Sequence, residues 1–366
     1  MLPELSCGGS GDYASHVRTG ERMSERVDSA EHGYSTSLPG RGPGRRRGSG
    51  AAVWLLLLAV LSVADAGRTA GEDVPHHVLH LASEGFGTPR TWVFGLAQRG
   101  DALWAVGNFG INVRRPGAAS WMNVVAPQPG RLPLSISFAA TGAGIAVGQD
   151  GAVWEVAAGS ELWASSGVGA NDRLFGVAQT SRGDVIAVGA FGTIYTRAAG
   201  ATAWRRVEVS WGEFDAPHLY AVLMMDDQAA LVVGEHGTIL KVANGGVIDR
   251  QQHGEESLFA VVRCGADYVA GGQEGAILAS SDASVWNVSR VVKGFDVYGL
   301  GCLPDHRVMA LGAGTAQIGS PGGAWQGFEP NSTRPAWFSS ILVSESTMLL
   351  GGQGDIWRVQ LASRNE

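Results

Sequence analysis

The sequence predicts an all-β fold, a seven-bladed β-propeller of four-stranded antiparallel blades, and three observations lead to this prediction. Glycine is abundant, with 54 residues among 366, which is roughly twice its usual frequency. An apolar pair of residues runs into a glycine turn seven times, at intervals of 38 to 45 residues. Each interval also holds apolar and aromatic pieces sufficient for four short strands. A repeat of this length with four strands is typical of propeller blades.

The overall composition excludes several other classes of protein. Charged residues make up 17% of the chain and hydrophobic residues 45%, which excludes a disordered chain and a coiled coil because both are rich in charge. The glycines follow no three-residue period, which excludes collagen. The net charge is −7 at pH 7, and the part predicted to fold has no basic cluster. Nucleic acid is therefore not the expected partner.

The N-terminal 66 residues are interpreted as an export signal with an extension before it. Residues 1–44 are polar and patternless and are expected to be disordered or mis-annotated. Residues 45–66 combine three arginines, a short apolar core and an Ala-Asp-Ala ending, which are the three parts of a secretory signal. We therefore expect a periplasmic or extracellular protein, with an uncleaved membrane anchor as the alternative. Residues 67–76 are then a linker and residues 362–366 a tail.

Each repeat has the same internal order. An aromatic, a small and an aliphatic residue precede the glycine turn, as in Phe175-Gly176-Val177, and a β-rich piece such as Thr193-Ile194-Tyr195 follows it. Small residues suit the innermost strand, where blades crowd the axis, and the aromatics are expected to fill the gaps between blades. Glycine is expected to permit the positive φ of the turn between strands two and three. A tryptophan opens the next piece in four repeats: Trp121, Trp204, Trp286 and Trp325.

The ring needs a closing strand, because the seventh repeat is one strand short. After Trp357 only nine residues remain, so that Ile356 to Leu361 can supply a third strand and no fourth one follows. Residues 77–82 lie before blade one and have no blade of their own. We predict that they pair with the C-terminal strands as a clasp strand. The propeller would then span residues 77–361, with no open edge between its first and last blades.

The repeats resemble those of BNR or Asp-box propellers, and specifically the photosystem II stability/assembly factor-like family, whose units read roughly aromatic-x-V…AVGxxGxIxxSxDGGxxW. The match covers about residues 78–361 and is closest at 187–204 and 270–286, where residues 280–286 read SSDASVW, a worn Asp box. The stretch from Arg114 to Trp121 lacks the serine and aspartate of the box. The resemblance implies a seven-bladed propeller. It implies function weakly, because such repeats occur in assembly factors, glycoside hydrolases and lectins.

Candidate binding residues lie on the connections from an outer strand to the next inner strand. These connections share one face of a propeller, and loops on such a face are a usual place for binding. Trp211 and Phe214 are candidates for an interface hot spot, with a hydrophobic lid over a blade as the alternative. The full set of candidates is Trp211, Phe214, Asp215, Arg131, Arg173 and Arg334.

The sequence favours no catalytic, metal or cofactor site. A sialidase-like hydrolase needs three arginines converging on a carboxylate and a tyrosine with a glutamate base, and no such set stands at equivalent blade positions. His77 and His80 would point to opposite faces of a strand, which suits a shared metal ion poorly. Cys264 and Cys302 lie in neighbouring blades, where we expect a separation beyond the roughly 7 Å that a disulfide allows. Two reduced thiols are favoured, and a disulfide formed after export is the alternative.

We therefore expect an exported, non-enzymatic and monomeric propeller that binds another protein. Its partner would be membrane-associated, and the propeller would act as a scaffold or as an assembly or stability factor. The alternative, from another class, is a carbohydrate-active propeller, either a sialidase-like hydrolase or a lectin, whose partner is a glycan. Neither interpretation includes a cofactor.

Overall fold

The structure, a computed structural model, describes residues 77–212, 216–290, 295–330 and 337–361. In these residues 29 β-strands form seven sheets. None of the helical turns among them is long and apolar enough to cross a membrane. The expected extension, signal and linker, together with the tail from residue 362, lie outside the described residues.

Seven sheets with four antiparallel strands each confirm the predicted seven-bladed propeller. In blades one to six the chain runs from the inner strand to the outer one. Two short strands precede the blades: β1 (His77–Leu79) and β2 (Ala82–Ser83). The strands of blades one and two are β3 (Val93–Arg99), β4 (Ala102–Gly107), β5 (Gly110–Arg114), β6 (Met122–Val125), β7 (Pro133–Phe138), β8 (Gly144–Gly148), β9 (Ala152–Val156) and β10 (Trp163–Gly167). Those of blades three and four are β11 (Leu174–Gln179), β12 (Val185–Gly189), β13 (Ile194–Arg197), β14 (Arg205–Arg206), β15 (Leu219–Met224), β16 (Ala229–Gly234), β17 (Thr238–Ala243) and β18 (Gly246–Gln252). Those of blades five to seven are β19 (Leu258–Cys264), β20 (Asp267–Gly272), β21 (Ala276–Ser280), β22 (Asn287–Arg290), β23 (Gly299–Cys302), β24 (Val308–Leu311), β25 (Ala316–Gly319), β26 (Trp325–Pro330), β27 (Phe338–Val343), β28 (Thr347–Gly352) and β29 (Ile356–Gln360).

The core lies between the blades. Seven hydrophobic clusters of described residues are each shared by two neighbouring blades, including one between blades seven and one. The second strand of a blade is buried on both faces, so β8 and β12 are buried along their whole lengths. A strand buried on both faces has little room for ions, which accounts for the low charged fraction of the sequence.

The leading glycine of each turn is required by a close approach and not by a positive φ. Gly148 has a φ of −169°, and a Cβ on it would stand 1.9 Å from the carbonyl oxygen of Leu132. That carbonyl accepts the N–H of Gln149 at 3.1 Å and so holds the turn against the start of the inner strand. A Cβ on any leading glycine would come within 1.7 to 2.3 Å of the matching carbonyl. The second glycine does have a positive φ, for example 62° at Gly151.

The N-terminal strands close the ring, but not as one clasp. β2 pairs antiparallel with β29 and is the fourth strand of blade seven. β1 pairs in parallel with β26 and adds a fifth strand to blade six. The expectation that residues 77–82 join blade seven together is therefore wrong for β1. Without the N-terminal segment, β26 and β29 would both be edge strands with unpaired backbone groups. One extended segment can form hydrogen bonds with both of them.

Glu84 links the last blade to the first. Its side chain is only 7% exposed and forms ion pairs with Arg114 of β5 and Arg358 of β29, the latter at 2.7 Å from Nε to Oε1. The Glu84 N–H donates to the carbonyl of Ile356 at 2.9 Å. Phe86 then packs edge-on against a ring of blade one, with its centroid 4.6 Å from that of Phe109. The segment after β2 therefore holds together two blades that are far apart in sequence.

A disulfide joins Cys264 at the end of β19 to Cys302 at the end of β23. The two Cα atoms are 5.1 Å apart, so the expectation of a separation beyond 7 Å, with two reduced thiols, is wrong. Both cysteines end innermost strands, and innermost strands of neighbouring blades pack directly against each other near the axis. Equivalent positions are therefore closest there, and the alternative of a disulfide is the one observed.

Candidate functional site

One face of the propeller carries both the glycine turns and the connections from outer to inner strands. In six blades a backbone N–H of the glycine turn donates to the carbonyl of the last residue of such a connection, as with Glu235 N–H and the His218 carbonyl at 2.9 Å. We call this the glycine-turn face. Trp211, Arg131 and Arg173 lie on its connections. Of the other candidate residues, Phe214, Asp215 and Arg334 lie outside the described residues.

Trp211 is half-buried and covers the side of a blade. Its indole lies against Gly192, where an added Cβ would meet the ring nitrogen at 2.4 Å. It packs on the hydrophobic cluster shared by blades three and four. The guanidinium carbon of Arg250 stands 5.7 Å from the ring centroid. These are the contacts expected of a hydrophobic lid over a blade, which is the alternative to an interface hot spot at Trp211.

Arg131 and Arg173 are placed differently. The Arg131 side chain is half-buried and donates from Nη2 to the carbonyl of Ser166 at 3.0 Å, which ties it to blade two. Arg173 is exposed and lines an open cavity of about 820 Å³ with Asp150, Phe175 and His218, among others. The structure thus brings Arg173 together with acidic and aromatic groups that sequence reasoning did not group with it.

Six blades carry a β-bulge in their first strand. In blade three the pairing register skips from Leu174 to Gly176 and leaves Phe175 without a partner residue. A bulge turns its extra residue away from the regular ladder. The small residue after it allows close packing, because a Cβ on Gly176 would stand 3.3 Å from the Cα of Ala221 in the next blade. The bulged residues are Phe94, Leu134, Phe175, Tyr220, Phe259 and Ser339.

Three aromatic bulge residues, Phe175, Tyr220 and Phe259, form a chain of ring contacts with aromatic residues that stand just before inner strands. The ring of Tyr220 lies 5.5 Å from that of Phe175 and 5.2 Å from that of Phe259. Tyr298, just before β23, lies 5.5 Å from Phe259 and is nearly parallel to it. Trp337 lies 5.8 Å from Tyr298, also nearly parallel. A sixth ring, 6.4 Å from Trp337, completes what we call the aromatic arc: Phe175, Tyr220, Phe259, Tyr298, Trp337 and Trp92.

The aromatic arc keeps part of its surface in solvent. Five of its side chains are half-buried and Trp337 is 43% exposed. The sequence repeat of aromatic, small and aliphatic residues indicated the positions of Phe175, Tyr220, Phe259 and Tyr298, whose rings were expected to fill the gaps between blades. It did not indicate Trp92 or Trp337. The rings do reach from blade to blade. They are not enclosed. Bulges direct Phe175, Tyr220 and Phe259 out of the packed sheets, whereas Tyr298, Trp337 and Trp92 stand just before the first residue of an inner strand. No sequence signal marks a bulge before a small residue.

Two tyrosines of the arc are held by carboxylates. Tyr220 donates to Glu235 Oε1 at 3.1 Å, and Tyr298 donates to Asp296 Oδ2 at 3.2 Å. Burial, followed by the nearby Glu235 charge, raises the pKa of Tyr220 to about 12. Burial and the Asp296 charge likewise raise the pKa of Tyr298. Both tyrosines are therefore neutral hydrogen-bond donors at physiological pH.

The described residues hold no group of three or more histidine, cysteine or acidic side chains placed to bind a metal ion. The expectation that His77 and His80 suit a shared metal ion poorly stays a prediction. His80 is exposed and follows β1, and nothing is described of the His77 side chain.

The residues that carry the Asp-box resemblance form a self-contained turn between β21 and β22. Asp282 accepts the N–H groups of Ser284 at 2.7 Å and Val285 at 3.0 Å, and the Ser280 hydroxyl at 2.9 Å. These hydrogen bonds, led by that of Val285, lower the pKa of Asp282 to about 2. Trp286 is buried behind the turn. The turn lies on the opposite face from the aromatic arc and has a structural role.

Solved structures share this fold. No protein-family model and no curated protein matches the sequence. A catalytically inactive variant of virginiamycin B lyase from Staphylococcus aureus with quinupristin is 9% identical, with a TM-score of 0.68 over 77% of this chain and 99% of that one. YCF48 from Cyanidioschyzon merolae is 13% identical, with a TM-score of 0.60 over 76% and 98%. The WD40 propeller domain of Doa1 is 14% identical, with a TM-score of 0.58 over 76% and 98%. These likenesses show the fold alone. A lyase and a WD40 domain stand among them, so the fold assigns no activity.

Proposed function

We propose that this chain is an exported, non-enzymatic and monomeric propeller that binds another protein. It would act as a scaffold, or as an assembly or stability factor, for a membrane-associated complex. The aromatic arc is the observation that carries the proposal. Aromatic side chains are enriched at protein interfaces and dominate binding energy there. A row of rings reaching from blade to blade on one face is a large, rigid surface for such contacts.

Other observations support the binding role. The repeats resemble those of photosystem II stability/assembly factor-like proteins, and the structural neighbours include YCF48 and WD40 propellers. The expected secretory signal supports export. The disulfide between Cys264 and Cys302 supports it as well, because structural disulfides persist mainly in oxidising compartments.

The proposal is tested by capture from solubilised membranes of the native cells, with a C-terminal affinity tag on the full chain. We expect a membrane protein enriched with the unaltered chain and depleted at least tenfold with Trp337→Ala. The matched control is Trp204→Ala, because Trp204 is also half-buried but lies on the opposite face, beside Tyr195. It should capture the partner normally.

Three outcomes would overturn the proposal. One is that no protein is enriched over untagged cells. Another is that both tryptophan variants capture the partner equally, which would remove the glycine-turn face from the interaction. The third is binding or hydrolysis of a glycan by the purified protein, which would favour the carbohydrate-active alternative. Export is tested separately by fractionation and N-terminal sequencing, with a mature start at Gly67 expected.

A further inference from the structure

The described turns and connections beside the aromatic arc carry charges of one sign in blades four to six. On the glycine-turn face they contain five acidic residues and neither lysine nor arginine. Lys293 and Arg334 belong to parts of these connections outside the described residues. The acidic residues are Glu235, Glu255, Glu256, Glu274 and Asp296.

Two of these carboxylates stand directly at the rings. Glu235 receives the Tyr220 hydroxyl and also the His218 N–H at 2.7 Å. Asp296 receives the Tyr298 hydroxyl and also the Glu274 N–H at 2.9 Å. Each carboxylate is therefore fixed in place by a backbone donor and a phenol. Fixed anions beside rings need no reorganisation when a ligand arrives.

Aromatic faces and carboxylates attract the same kind of ligand. The negative face of an aromatic ring attracts a cation, and a carboxylate forms charge-assisted hydrogen bonds with one. Arginine suits such a site best, because its planar guanidinium stacks on rings and donates two parallel hydrogen bonds to a carboxylate. Phe259, Tyr298 and Trp337 offer successive, nearly parallel rings for such stacking.

We propose that the aromatic arc, between Tyr220 and Trp337, binds an arginine side chain from a basic segment of the partner protein. The guanidinium lies against the rings of Phe259 and Tyr298 and pairs with Glu235 or Asp296. This inference rests on the proposed protein-binding function and adds the chemistry of the partner. The net charge of −7 over the chain adds long-range attraction for a basic segment.

The inference is tested with fluorescein-labelled pentapeptides, Gly-Ser-Xaa-Ser-Gly, read by fluorescence anisotropy with the full chain. The central residue is arginine, citrulline or glutamate. Citrulline has the shape of arginine without its charge. We expect the arginine peptide to bind at least tenfold more tightly than the citrulline peptide and the glutamate peptide to show no binding.

Two variants locate the site, and each has a matched control elsewhere on the molecule. Tyr298→Leu removes a ring, and Glu235→Gln removes a charge while keeping a hydrogen-bond acceptor for Tyr220. Each should weaken arginine-peptide binding at least tenfold. Trp204→Leu and Asp101→Asn, the latter on the β3–β4 turn of the opposite face, should change it less than twofold. The near-isosteric Glu235→Gln keeps the test valid if Tyr298→Leu fails to fold.

Equal binding of the arginine and citrulline peptides would overturn the inference. Equal weakening by Asp101→Asn would also overturn it, because it would show only general attraction to an acidic protein. Binding of an oligosaccharide at the rings without arginine-peptide binding would overturn it too. Failure of the inference differs from failure of the proposed function. If membrane capture still depends on Trp337 while the peptides do not discriminate, the scaffold role stands and the cationic ligand is wrong.

Discussion

Reducing the disulfide between Cys264 and Cys302 should lower the stability of the propeller without changing its fold. The bond joins the innermost strands of blades five and six, and its cysteines are 38 residues apart. The Cys264 sulfur lies 3.3 Å from the carbonyl oxygen of His306, so a reduced thiol has a hydrogen-bond acceptor there. The sulfurs can therefore stay in place when the bond is broken, and the main loss is the cross-link itself.

The magnitude follows from the length of the loop that the disulfide closes. With 38 residues in that loop, the chain-entropy relation gives an entropy loss in the unfolded state of about 13 cal/mol/K, or about 4 kcal/mol at 25 °C. The propeller over residues 77–361 has roughly 285 residues, and unfolding entropy is about 2.1 cal/mol/K per residue. The melting temperature should therefore fall by about 6 to 7 °C on reduction.

The assay combines thiol counting with thermal unfolding. Thiol titration under denaturing conditions should give two more reactive thiols after reduction than before. Thermal unfolding followed by circular dichroism, with and without reductant, gives the change in melting temperature. The control is the double variant Cys264→Ala/Cys302→Ala, whose melting temperature should not respond to reductant.

Two outcomes, one in the melting temperature and one in the thiol count, would contradict this prediction. If two extra thiols appear on reduction but the melting temperature changes by less than 1 °C, the chain-entropy account is wrong for this propeller. If thiol counts are the same before and after reduction, the sulfurs are not bonded. The expected stability difference would then not arise from a cross-link between β19 and β23.

Three further predictions concern ring closure, the glycine turns and acid stability. Glu84→Gln should lower the free energy of unfolding by about 2 to 3 kcal/mol in urea titrations, because it leaves Arg114 and Arg358, which are 26% and 33% exposed, without their anion. Gly189→Ala should cost about 2 to 3 kcal/mol, since its Cβ would stand 2.0 Å from a backbone carbonyl oxygen. Asp282 should titrate near pH 2 by NMR. The pKa of Asp282 is lower in the folded protein than in the unfolded chain. Its contribution to folding stability is therefore present above about pH 4 and is lost as the pH falls towards 2.

Matched controls separate these effects from general sensitivity to mutation. Glu161→Gln breaks the exposed pair with Arg115 and should cost less than about 1 kcal/mol. Gly246→Ala should be nearly neutral, because an added Cβ meets no atom within 4 Å. If Glu84→Gln and Glu161→Gln lowered the free energy of unfolding equally, the role of Glu84 in closing the ring between blades seven and one would be contradicted. Equal effects of the two glycine variants would contradict the close approach at Gly189. A titration midpoint near pH 4 would contradict the hydrogen bonding at Asp282.

The number of blades and the position of every glycine turn were predictable from the sequence. The repeat is periodic, and strands buried on both faces are built from few types of residue, so the repeat is easily seen. The division of the N-terminal segment between β26 and β29 was not predictable. Both edges offer the same backbone groups, and only three-dimensional distance decides between them. The disulfide was misjudged for a related reason. Spacing in sequence does not tell how closely β19 and β23 approach at the axis.

The candidate site was only partly predictable, because four of its six rings stand in the repeat and Trp92 and Trp337 do not. Buried and exposed aromatic residues look alike in sequence, so Phe259 and Tyr298 were expected to pack between blades. Loop position alone singled out Trp211, whose ring packs on a blade. A bulge directs Phe259 outward, and a bulge arises from the register of paired strands rather than from residue type. Tyr298 has no bulge and stands just before its strand.

The glycine repeat and the aromatic arc are two consequences of one contact. Each leading glycine accommodates the carbonyl of a residue that precedes an inner strand, and in six blades this carbonyl accepts a hydrogen bond from the turn. At Gly107 and Gly352 that residue is itself a ring of the arc, Trp92 or Trp337. At Gly234 it is His218, next to the inner strand that carries Tyr220. Positions that are glycine for reasons of packing therefore also set where these rings stand, so a bulkier residue at such a glycine would disturb both the blade and the aromatic arc.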